Sequence, residues 1–373
     1  MKKLLLISNF YSEYISAGTS QRTKDIKKGL SNLGWECKVV TIKRSRNPIE
    51  KEPDKRDIIG INSLSERYAI PIYPLLRFFR VLKASNLVHI IDHWSGLNIL
   101  SVIFCLVSKT PYIYSPCGAL EPIGRNILIK NLYNFIFLKF FLNNAKYIFA
   151  VTKKEKSEIT LLSEKKLKIK VIPNGIWDKS ETNFKIDIKT KKKLENLIKP
   201  KKFILFVGRL SYVKGPDILF DAFLKINNRD NYALVYVGPD ENMKGEILKK
   251  LRNFPNIKNV IFLGSVTPKV RNFCMKNALL TVIPSRREAM SMVALETSIL
   301  GTPFIATESC GLADFSNNNS GYICEPNSNS ISKRLNYLLK NPKEILITGK
   351  NAQSYVKENY AWEKILLKMN SYF

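Results

Sequence analysis

The chain has 373 residues, of which 45% are hydrophobic and 11% are aromatic. This length suits two domains of about 150–200 residues each, and this composition excludes intrinsic disorder along the whole chain. The 60 Lys and Arg residues outnumber the 31 Asp and Glu residues and give a formal net charge of +29. Such a charge favours binding to nucleic acid, anionic lipid or phosphorylated substrates. Alternatively, it reflects only a Lys-rich composition without functional meaning.

The apolar runs are too short to cross a membrane, which takes ~18 consecutive uncharged apolar residues. The longest run, residues 97–107, contains Asn98 and Ser101 and ends before Lys109. The opening MKKLLLIS has too short an apolar part for a signal peptide and predicts a buried first strand. The six cysteines and two histidines lack the spacing of a zinc site or a disulfide framework, so the cell interior is expected.

In the first half of the chain, short apolar runs alternate with amphipathic stretches. The runs are continuously apolar, which is typical of parallel strands in a sheet that helices cover on both faces. Helical patterns lie between several of them, for example at residues 19–32 and 97–108. The predicted strands are at residues 3–10, 37–42, 86–91, 111–116, 147–152 and 170–173.

A polar, lysine-rich stretch at residues 177–202 carries no predicted strand and marks a connector. The alternation then restarts, so the sequence predicts two consecutive parallel α/β units. A final helical pattern at residues 353–373 need not belong to the second unit. The predicted strands of that unit are at residues 203–208, 232–238, 259–264, 279–284, 303–307 and 321–326.

The stretch at residues 203–223 joins a buried strand to an amphipathic helix and contains Gly208, Arg209, Lys214 and Gly215. Folds of this class bind ligands beyond the carboxyl ends of their strands, where a helix start offers free N–H groups. Two cations five residues apart suit a diphosphate, because Arg can bind two oxygens while Lys acts as a point charge. Alternatively, both are ordinary surface cations. A Walker A pattern is absent from the sequence.

The stretch at residues 281–307 places two carboxylates around a predicted helix at residues 291–300. Glu288 lies at the helix entrance and Glu296 lies within the helix. Carboxylates accept hydrogen bonds from hydroxyl-rich ligands, and free N–H groups at residues 290–292 suit phosphate oxygens. Spacing alone favours a plainer interpretation, in which Glu288 faces the helix dipole and Glu296 is a solvated helix residue.

Together these motifs resemble those of glycosyltransferase family 4, whose members have the GT-B fold, retain the sugar configuration and use nucleotide sugars. Arg209 with Lys214, and Glu288 separated from Glu296 by seven residues, match the paired motifs of the family. The ordered set spans nearly the whole chain and favours ligand-binding roles for both carboxylates. Further similar segments are residues 8–41, SPCGALEP at 115–122, VIPNGI at 171–176, VGPD at 237–240, FLGSV at 262–266 and LGTPFIAT at 300–307.

The resemblance implies two Rossmann-like parallel-sheet domains facing a cleft, with a C-terminal helix that crosses back to the first domain. Residues 1–178 would form the acceptor-side domain, together with the helix at residues 355–373. Residues 179–354 would form the domain that binds the nucleotide sugar.

The resemblance also implies site roles. Arg209 and Lys214 would bind the donor diphosphate and neutralise the charge that builds on it as the leaving group departs. Glu296 would hold the ribose hydroxyls, and Glu288 would contact the donor sugar, so that Glu288, Arg209 and Lys214 are the predicted catalytic residues. The donor site would be completed by backbone around Ala289, Met290, Ser291 and Met292, and by Gly18 and Thr19 from the opposite domain.

The implied donor is linked to UDP or GDP, and no cofactor is expected. The sequence contains no D-x-D motif, which agrees with a metal-independent enzyme that uses side-chain cations instead of a divalent ion. The chain departs from the family pattern at several positions. Ala289 and Ser291 stand where glycines are usual, and Thr19 stands where a second glycine is common.

The acceptor side is expected to include Cys117, Asp92 and His93. Cys117 stands where the family often has histidine, and a thiol cannot do the same proton chemistry, so we interpret it as part of the lining and not as a general base. Asp92 and His93 follow a predicted strand at the acceptor cleft of the family fold and are the best side-chain candidates for a base. Alternatively, His93 is an ordinary surface residue.

Two stretches, residues 125–147 and 73–83, interleave apolar and cationic residues. On helices they would present an apolar surface flanked by cations, as in segments that lie on an anionic membrane. Alternatively, they are buried helices of the first domain.

The sequence therefore predicts a retaining enzyme that moves a hexose-type sugar to a hydroxyl of a surface polysaccharide or lipid-linked oligosaccharide precursor, such as one for lipopolysaccharide or capsule. We expect it in the cytoplasm, peripheral on the inner face of the plasma membrane. The alternatives are a non-catalytic GT-B subunit, a GT-B nucleotide-sugar epimerase and, remotely, a basic nucleic-acid-binding protein. The sequence has no RRM, KH or helix-turn-helix signature, so no nucleic-acid partner is expected.

Overall fold

The chain divides into two units, each built on its own β-sheet. Unit 1 comprises Met1–Gly175 and Trp362–Phe373, and unit 2 comprises Ile176–Ala361. The structure is a computed structural model that describes residues 2–11, 18–43, 57–122, 126–178, 186–198 and 202–373.

Unit 1 contains an eight-stranded sheet. Its strands are β1 (Lys3–Ser8), β2 (Glu36–Ile42), β3 (Ile58–Ser63), β4 (Pro71–Tyr73), β5 (Leu87–Ile91), β6 (Tyr112–Ser115), β7 (Tyr147–Ala150) and β8 (Ile169–Val171). Their order in the sheet is β4-β3-β2-β1-β5-β6-β7-β8. The described pairs run parallel, except for the antiparallel pair of β3 and β4. All five residues of β5 are buried, because helices cover both faces of the sheet.

The helices of unit 1 include one from the C-terminal end of the chain. They are α1 (Gly18–Asn32), α2 (Leu75–Lys83), α3 (Gly96–Ser108), α4 (Ile127–Tyr133), a π-helical turn (Asn134–Leu138), α5 (Lys139–Asn144), α6 (Lys153–Thr160) and, after the helices of unit 2, α15 (Trp362–Asn370). Helix α15 packs against α1. Gly29 permits this contact, because a side chain there would overlap Leu366.

Unit 2 contains a six-stranded sheet whose described pairs all run parallel. Its strands are β9 (Lys202–Val207), β10 (Tyr232–Val237), β11 (Val260–Gly264), β12 (Leu280–Ile283), β13 (Phe304–Thr307) and β14 (Tyr322–Cys324), in the order β11-β10-β9-β12-β13-β14. Phe203 and Leu205 of β9 belong to one apolar cluster, and Ile204 and Phe206 belong to another. Since alternate residues point to opposite faces, the sheet is buried on both sides.

The helices of unit 2 connect these strands and close the unit at its C-terminal end. They are α7 (Ile188–Ile198), α8 (Pro216–Phe223), α9 (Lys244–Leu251), α10 (Pro268–Asn277), α11 (Met292–Ile299), α12 (Ala313–Asn317), α13 (Ser328–Lys340) and α14 (Pro342–Asn359). Short 3₁₀ turns lie at Tyr212–Lys214, Arg229–Asn231 and Glu308–Cys310.

The strand order of unit 2 determines where a ligand site can form. The chain enters the sheet at β9, adds β10 and β11 on one side, and then adds β12, β13 and β14 on the other side. The connections that follow β9 and β12 therefore leave in opposite directions, and a crevice forms outside the carboxyl ends of these two strands.

Several elements differ from the sequence prediction. The strands β3 and β4 were not predicted, and the connector contains helix α7. The predicted helix at residues 355–373 consists of the end of α14 and the separate helix α15, and unit 1 ends at Gly175 and resumes at Trp362. The break has a local cause, because Ala361 forms a β-bridge with Ile176 between the two helices.

Candidate functional site

Lys214 and Glu288 meet at the crevice between β9 and β12. Lys214 ends the 3₁₀ turn after β9, and Glu288 lies in the loop between β12 and α11. Lys214 Nζ contacts Glu288 Oε1, and the two side chains are 22% and 15% exposed. Because the pair is largely shielded from water, its charges interact more strongly than those of a surface pair.

Gly215 allows the two loops to approach this closely. Its φ of 65° is in the left-handed region, and a Cβ atom at this position would overlap the carbonyl oxygen of Pro284. Glycine adopts this conformation without steric cost and has no Cβ. The approach of the Lys214 turn to the Glu288 loop therefore requires glycine at this position.

The Glu288 loop is held by hydrogen bonds on both sides of the carboxylate. Ser285 Oγ donates to Glu288 Oε2 at 3.1 Å. The backbone N–H of Glu288 donates to the carbonyl oxygen of Ser309 at 2.9 Å, and that of Ser291 donates to Cys310 at 3.1 Å. The carboxylate thus has a defined position before any ligand binds.

Arg209 also follows β9, but its partner lies beyond β10. Arg209 Nη1 lies 2.8 Å from both carboxylate oxygens of Glu241. The side chains are 57% and 44% exposed, so water screens the pair and an incoming anion can compete with the carboxylate.

Glu296 is paired with a cation from the neighbouring helix. Arg271 Nη2 on α10 donates to Glu296 Oε1 on α11 at 2.8 Å. The second oxygen of the carboxylate remains a potential acceptor for ligand hydroxyls, since an ionised carboxylate offers about four lone-pair sites.

The predicted backbone cradle, residues 289–292, lies where the loop becomes α11. Ser291 is fully buried and stands immediately before the helix, and Met290 is also buried. The N–H of Ser291 donates to the carbonyl oxygen of Cys310. The sequence predicted a free N–H group here, whereas the structure shows this one bonded within the protein. The contact of Ala289, Met290, Ser291 and Met292 with a donor stays a prediction.

In unit 1, Gly18 and Thr19 form the first residues of α1, within the segment at residues 8–41 that resembles a family motif. The carbonyl oxygen of Thr19 accepts a hydrogen bond from Thr23 Oγ1 at 2.8 Å. Their approach to a diphosphate stays a prediction, and residues 12–17 of the same motif lie outside the described residues.

His93 is buried, and both of its ring nitrogens are engaged. Asn134 Oδ1 lies 2.8 Å from Nε2, and the hydroxyl of Tyr114 lies 2.5 Å from Nδ1. The Asn134 amide donates to the carbonyl of Leu120, so its oxygen faces Nε2 and Nε2 carries a proton. Burial lowers the pKa of His93 to about 4. His93 is a core histidine, contrary to both the base and the surface interpretations.

Asp92 and Cys117 lie at the carboxyl ends of β5 and β6. Asp92 has a φ of 88°, and its Oδ1 accepts the N–H of His93 at 2.7 Å. Burial raises the pKa of the Cys117 thiol to about 12, so this group is protonated at neutral pH. The next residue, Gly118, donates its N–H to the buried carboxylate of Glu155 at 2.5 Å. These features suit Cys117 as part of a lining and leave Asp92 as the candidate base.

The sequence motifs do not include the residues that hold the predicted site together. Ser285, Arg271, Glu241 and Arg286 pair with or flank the predicted residues. A local signal existed for two of them, since Ser285 and Arg286 stand three and two residues before Glu288. Within the described ranges, no group of three or more His, Cys, Asp or Glu side chains could hold a metal ion.

Two family models match the chain. The model for glycosyltransferase family 4 matches residues 16–178, and the model for glycosyl transferases group 1 matches residues 187–355. Together they span most of both units. The chain belongs to glycosyltransferase family 4.

Similar proteins agree with this assignment. An uncharacterized glycosyltransferase of Methanocaldococcus jannaschii is 26% identical, with 97% of this chain and 95% of that protein covered. Lipopolysaccharide 1,2-N-acetylglucosaminetransferase of Salmonella typhimurium is 28% identical, with 53% and 54% covered. The structure of HepE of Anabaena in complex with UDP and glucose superimposes with a TM-score of 0.79 at 15% identity, covering 100% of this chain and 99% of that one. The predicted family, the GT-B fold class and glycosyltransferase activity are confirmed.

Proposed function

We propose that this glycosyltransferase moves a hexose-type sugar from a UDP- or GDP-linked donor to a hydroxyl of a surface polysaccharide or lipid-linked oligosaccharide precursor, with retention of configuration. The observation that carries the proposal is the Lys214–Glu288 pair at the crevice of unit 2. A cation and a carboxylate in contact there suit a ligand that carries a phosphate next to a sugar.

In this proposal, the cations stabilise the leaving group. As the bond between the sugar and the diphosphate breaks, negative charge builds on the phosphate oxygens. Lys214 lies in the shielded crevice, where a fixed charge interacts more strongly with phosphate than it does in water. Arg209 lies in an exposed ion pair and can exchange Glu241 for phosphate. These two cations would replace a divalent ion, so we expect turnover to persist in EDTA.

The carboxylates would bind hydroxyl groups of the donor. Glu288 is fixed by Ser285 and Lys214, so its remaining lone pairs are oriented before the sugar arrives. Glu296, held by Arg271, would accept hydrogen bonds from the ribose. Preorganised acceptors require little rearrangement in the transition state.

The acceptor hydroxyl would attack from the face that the leaving group vacates. A new bond forms between the anomeric carbon and the acceptor oxygen, while the bond to the diphosphate breaks. The proton of the hydroxyl passes to a departing phosphate oxygen, which balances the charge.

Relatives support the donor and acceptor classes. HepE was solved with UDP and glucose, and the Salmonella relative is named for a lipopolysaccharide acceptor. The same chemistry in this chain would use a nucleotide sugar and a glycan of the cell surface.

The donor can be identified by thermal shift. A ligand that binds the folded state raises the melting temperature, and at equal concentration a tighter ligand raises it more, so UDP or GDP should give a larger shift than an oligonucleotide. With the sugar nucleotide that gives the largest shift, Lys214→Ala and Glu288→Ala should lower turnover ~100-fold or more. The matched control is Asp221→Asn, which breaks the exposed pair with Lys250. Wild-type turnover in both site variants would refute the proposed site.

We also propose that unit 1 binds an anionic membrane surface. Leu128 and Phe135 are 83% and 86% exposed, although both are large and apolar. Asn126 donates to the hydroxyl of Tyr68 at 2.9 Å, so the start of α4 lies beside the segment before β4. Tyr73, the last residue of β4, is also exposed. An apolar face of this kind on a protein of net charge +29 suits a surface that combines lipid with negative charge. Among the described residues, no helix is long and apolar enough to cross a membrane.

Vesicle co-sedimentation tests the membrane proposal. The double variant Leu128→Asp/Phe135→Asp should bind phosphatidylglycerol vesicles much more weakly than the wild type, because its apolar face is interrupted by charge. Leu161→Asp is the control, since Leu161 is 87% exposed but follows α6. Equal binding of the wild type and the double variant would exclude this face as the docking surface.

A further inference from the structure

Arg286 contacts the turn that carries Lys214 at several points. It lies in the loop between β12 and α11, and its Nη1 donates to the carbonyl oxygen of Tyr212 at 2.7 Å. Its guanidinium carbon lies 4.0 Å from the centroid of the Tyr212 ring. Its backbone N–H donates to the carbonyl oxygen of Val213 at 2.8 Å. The three contacts involve both residues that precede Lys214 in the turn.

The same guanidinium binds the first turn of α8. Nη1 and Nη2 of Arg286 donate to the two carboxylate oxygens of Asp217 at 2.9 and 2.6 Å. The side chains of Arg286 and Asp217 are 26% and 18% exposed. Two parallel bonds between planar groups fix both distance and orientation, and partial burial strengthens them.

These contacts connect the two halves of the Lys214–Glu288 pair. In the sequence, Lys214 lies between Val213 and Asp217. Val213 accepts the backbone N–H of Arg286, and Asp217 binds the guanidinium of Arg286. Glu288 follows Arg286 by two residues. Both N–H groups of Arg286 Nη1 and one of Nη2 bind Asp217 and Tyr212, so these contacts of Arg286 connect it to the turn that carries Lys214 and to α8.

We propose that Arg286, together with Asp217, is a positioning residue that sets the place of Lys214 relative to Glu288 and thereby the affinity of the crevice for a nucleoside diphosphate. This inference rests on the proposed function, because it assumes that Lys214 binds the diphosphate of the donor.

Helix α8 offers a matched control for this ion pair. One turn beyond Asp217, Asp221 accepts hydrogen bonds from Lys250 Nζ at 2.8 Å through both oxygens. This pair joins α8 to α9 and leaves the two loops of the crevice untouched. Asp221→Asn therefore removes an ion pair from the same helix without a predicted effect on Lys214.

The test is a double-mutant cycle on the affinity of the full chain for UDP and for GDP, measured by titration calorimetry. Arg286→Lys keeps the charge but cannot form two parallel bonds, and we expect the Kd to rise ~10-fold, since a small misplacement of a binding group is costly. Lys214→Ala should raise the Kd by a similar or larger factor. If Arg286 acts through Lys214, the double variant should bind no more weakly than Lys214→Ala alone.

If Arg286 has only a structural role, the result differs. The factors by which the two single substitutions raise the Kd would then multiply in the double variant. Asp221→Asn would also raise the Kd as much as Arg286→Lys does. Either outcome, or a wild-type Kd for Arg286→Lys, overturns the inference. If Arg286→Lys does not fold, Asp217→Asn takes its place in the cycle, because it removes the other half of the same pair.

The cycle also separates this inference from the proposed function. A wild-type Kd for Lys214→Ala, or no binding of either nucleotide to the wild type, refutes the proposed function and with it the inference. Weak binding of Lys214→Ala with normal binding of Arg286→Lys refutes the inference alone.

Discussion

His93 is a titratable residue whose chemistry depends on neighbours that are distant in sequence. Its partners are Tyr114 and Asn134, 21 and 41 residues away. With both nitrogens engaged and its pKa lowered by burial to about 4, the imidazole cannot serve as a base near neutral pH, where a pKa close to the working pH is needed. A short motif around His93 contains none of this information, which is why the sequence left the base and surface interpretations open.

The buried imidazole makes stability depend on pH. In the unfolded chain a histidine has a pKa of ~6.5, whereas burial lowers the pKa of folded His93 to about 4. Between these values the unfolded state binds a proton that the folded state does not, so the free energy of unfolding falls as the pH falls. His93→Gln removes this proton uptake, and its unfolding free energy should depend less on pH in this window.

Urea unfolding at a series of pH values between about 7 and about 4 measures this difference. His89 retains its own contribution, since burial also lowers its pKa, to about 3, so the slope should decrease without reaching zero. Parallel curves for the wild type and His93→Gln would contradict the assignment of a neutral, buried His93.

Sequence motifs predicted Lys214 and Glu288 as site residues, and the structure brings their side chains into contact. The partners of Arg209 and Glu296 could not be predicted in the same way. Glu241 is 32 residues from Arg209, and Arg271 is 25 residues from Glu296. Which residues meet at such separations depends on the order of β9 to β12 in the sheet, and a local motif does not contain that order.

Among the elements, the stretch at residues 126–144 has an exposed apolar part and a buried apolar part. Its first part exposes Leu128 and Phe135, whereas its last part buries Phe141 and Leu142. The π-helical turn Asn134–Leu138, which contains Phe135, is wider than an α-helical turn and shifts the face that the helix presents to the core. The apolar residues are continuous in sequence, so composition alone could not assign the two parts.

The unpredicted strands β3 and β4 have weak local signals. β3 has the sequence IIGINS and contains a glycine and two polar residues, and β4 has three residues. Both lie at one edge of the sheet of unit 1. Edge strands need fewer apolar residues because less of their surface is buried.

Gly215 makes the junction of β9 and α8 sensitive to a single methyl group. Gly215→Ala places a Cβ against the carbonyl of Pro284 in a residue with a φ of 65°. Because the Lys214 turn and the Glu288 loop must then separate, we expect a loss of ~1–3 kcal/mol of stability. We also expect a smaller rise in melting temperature with UDP or GDP. Chemical denaturation and thermal shift measure the two effects.

Gly245→Ala is the control for this change. Gly245 lies in α9, and a Cβ there meets nothing within 4 Å. Alanine is favoured over glycine inside a helix by ~0.5–1 kcal/mol, so this variant should be slightly more stable and should bind nucleotide normally. Equal stability of Gly215→Ala and the wild type would show that the loops do not depend on their close approach.

At the scale of the whole molecule, unit 1 is completed by the last residues of the chain. Trp362 is fully buried, and Arg22 lies over its ring at 6.0 Å. Arg22 is itself buried and donates to the carbonyls of Ile172 and Pro173. A side chain at Gly175 would overlap the ring of Trp362. The point where the chain leaves unit 1 and the point where it returns are therefore packed around one arginine.

The sequence predicted a C-terminal helix through the family resemblance but could not fix where it begins. Tyr360 accepts the N–H of Ile176 at 2.8 Å through its carbonyl oxygen, which ends α14 two residues before α15. This hydrogen bond connects segments that are far apart in sequence. A helical pattern that runs without interruption through residues 353–373 gives no sign of it.

Because α15 belongs to unit 1, a change in its core should weaken unit 1 and leave unit 2 intact. Trp362→Ala removes a fully buried ring from beneath Arg22 and should cost ~3–5 kcal/mol, as for large cavities in other cores. Hydrogen exchange read by mass spectrometry should then show faster exchange in α1, β8 and α15 than in the wild type. The strands β9, β10 and β12 should exchange at the wild-type rate, since local opening follows cooperative units.

Leu367→Ala, a change at a residue of α15 that is 59% exposed, should leave the exchange rates of both units unchanged. Faster exchange in unit 2 to the same extent as in unit 1 would mean that the two units unfold as one, and that α15 stabilises the whole chain and not unit 1 alone.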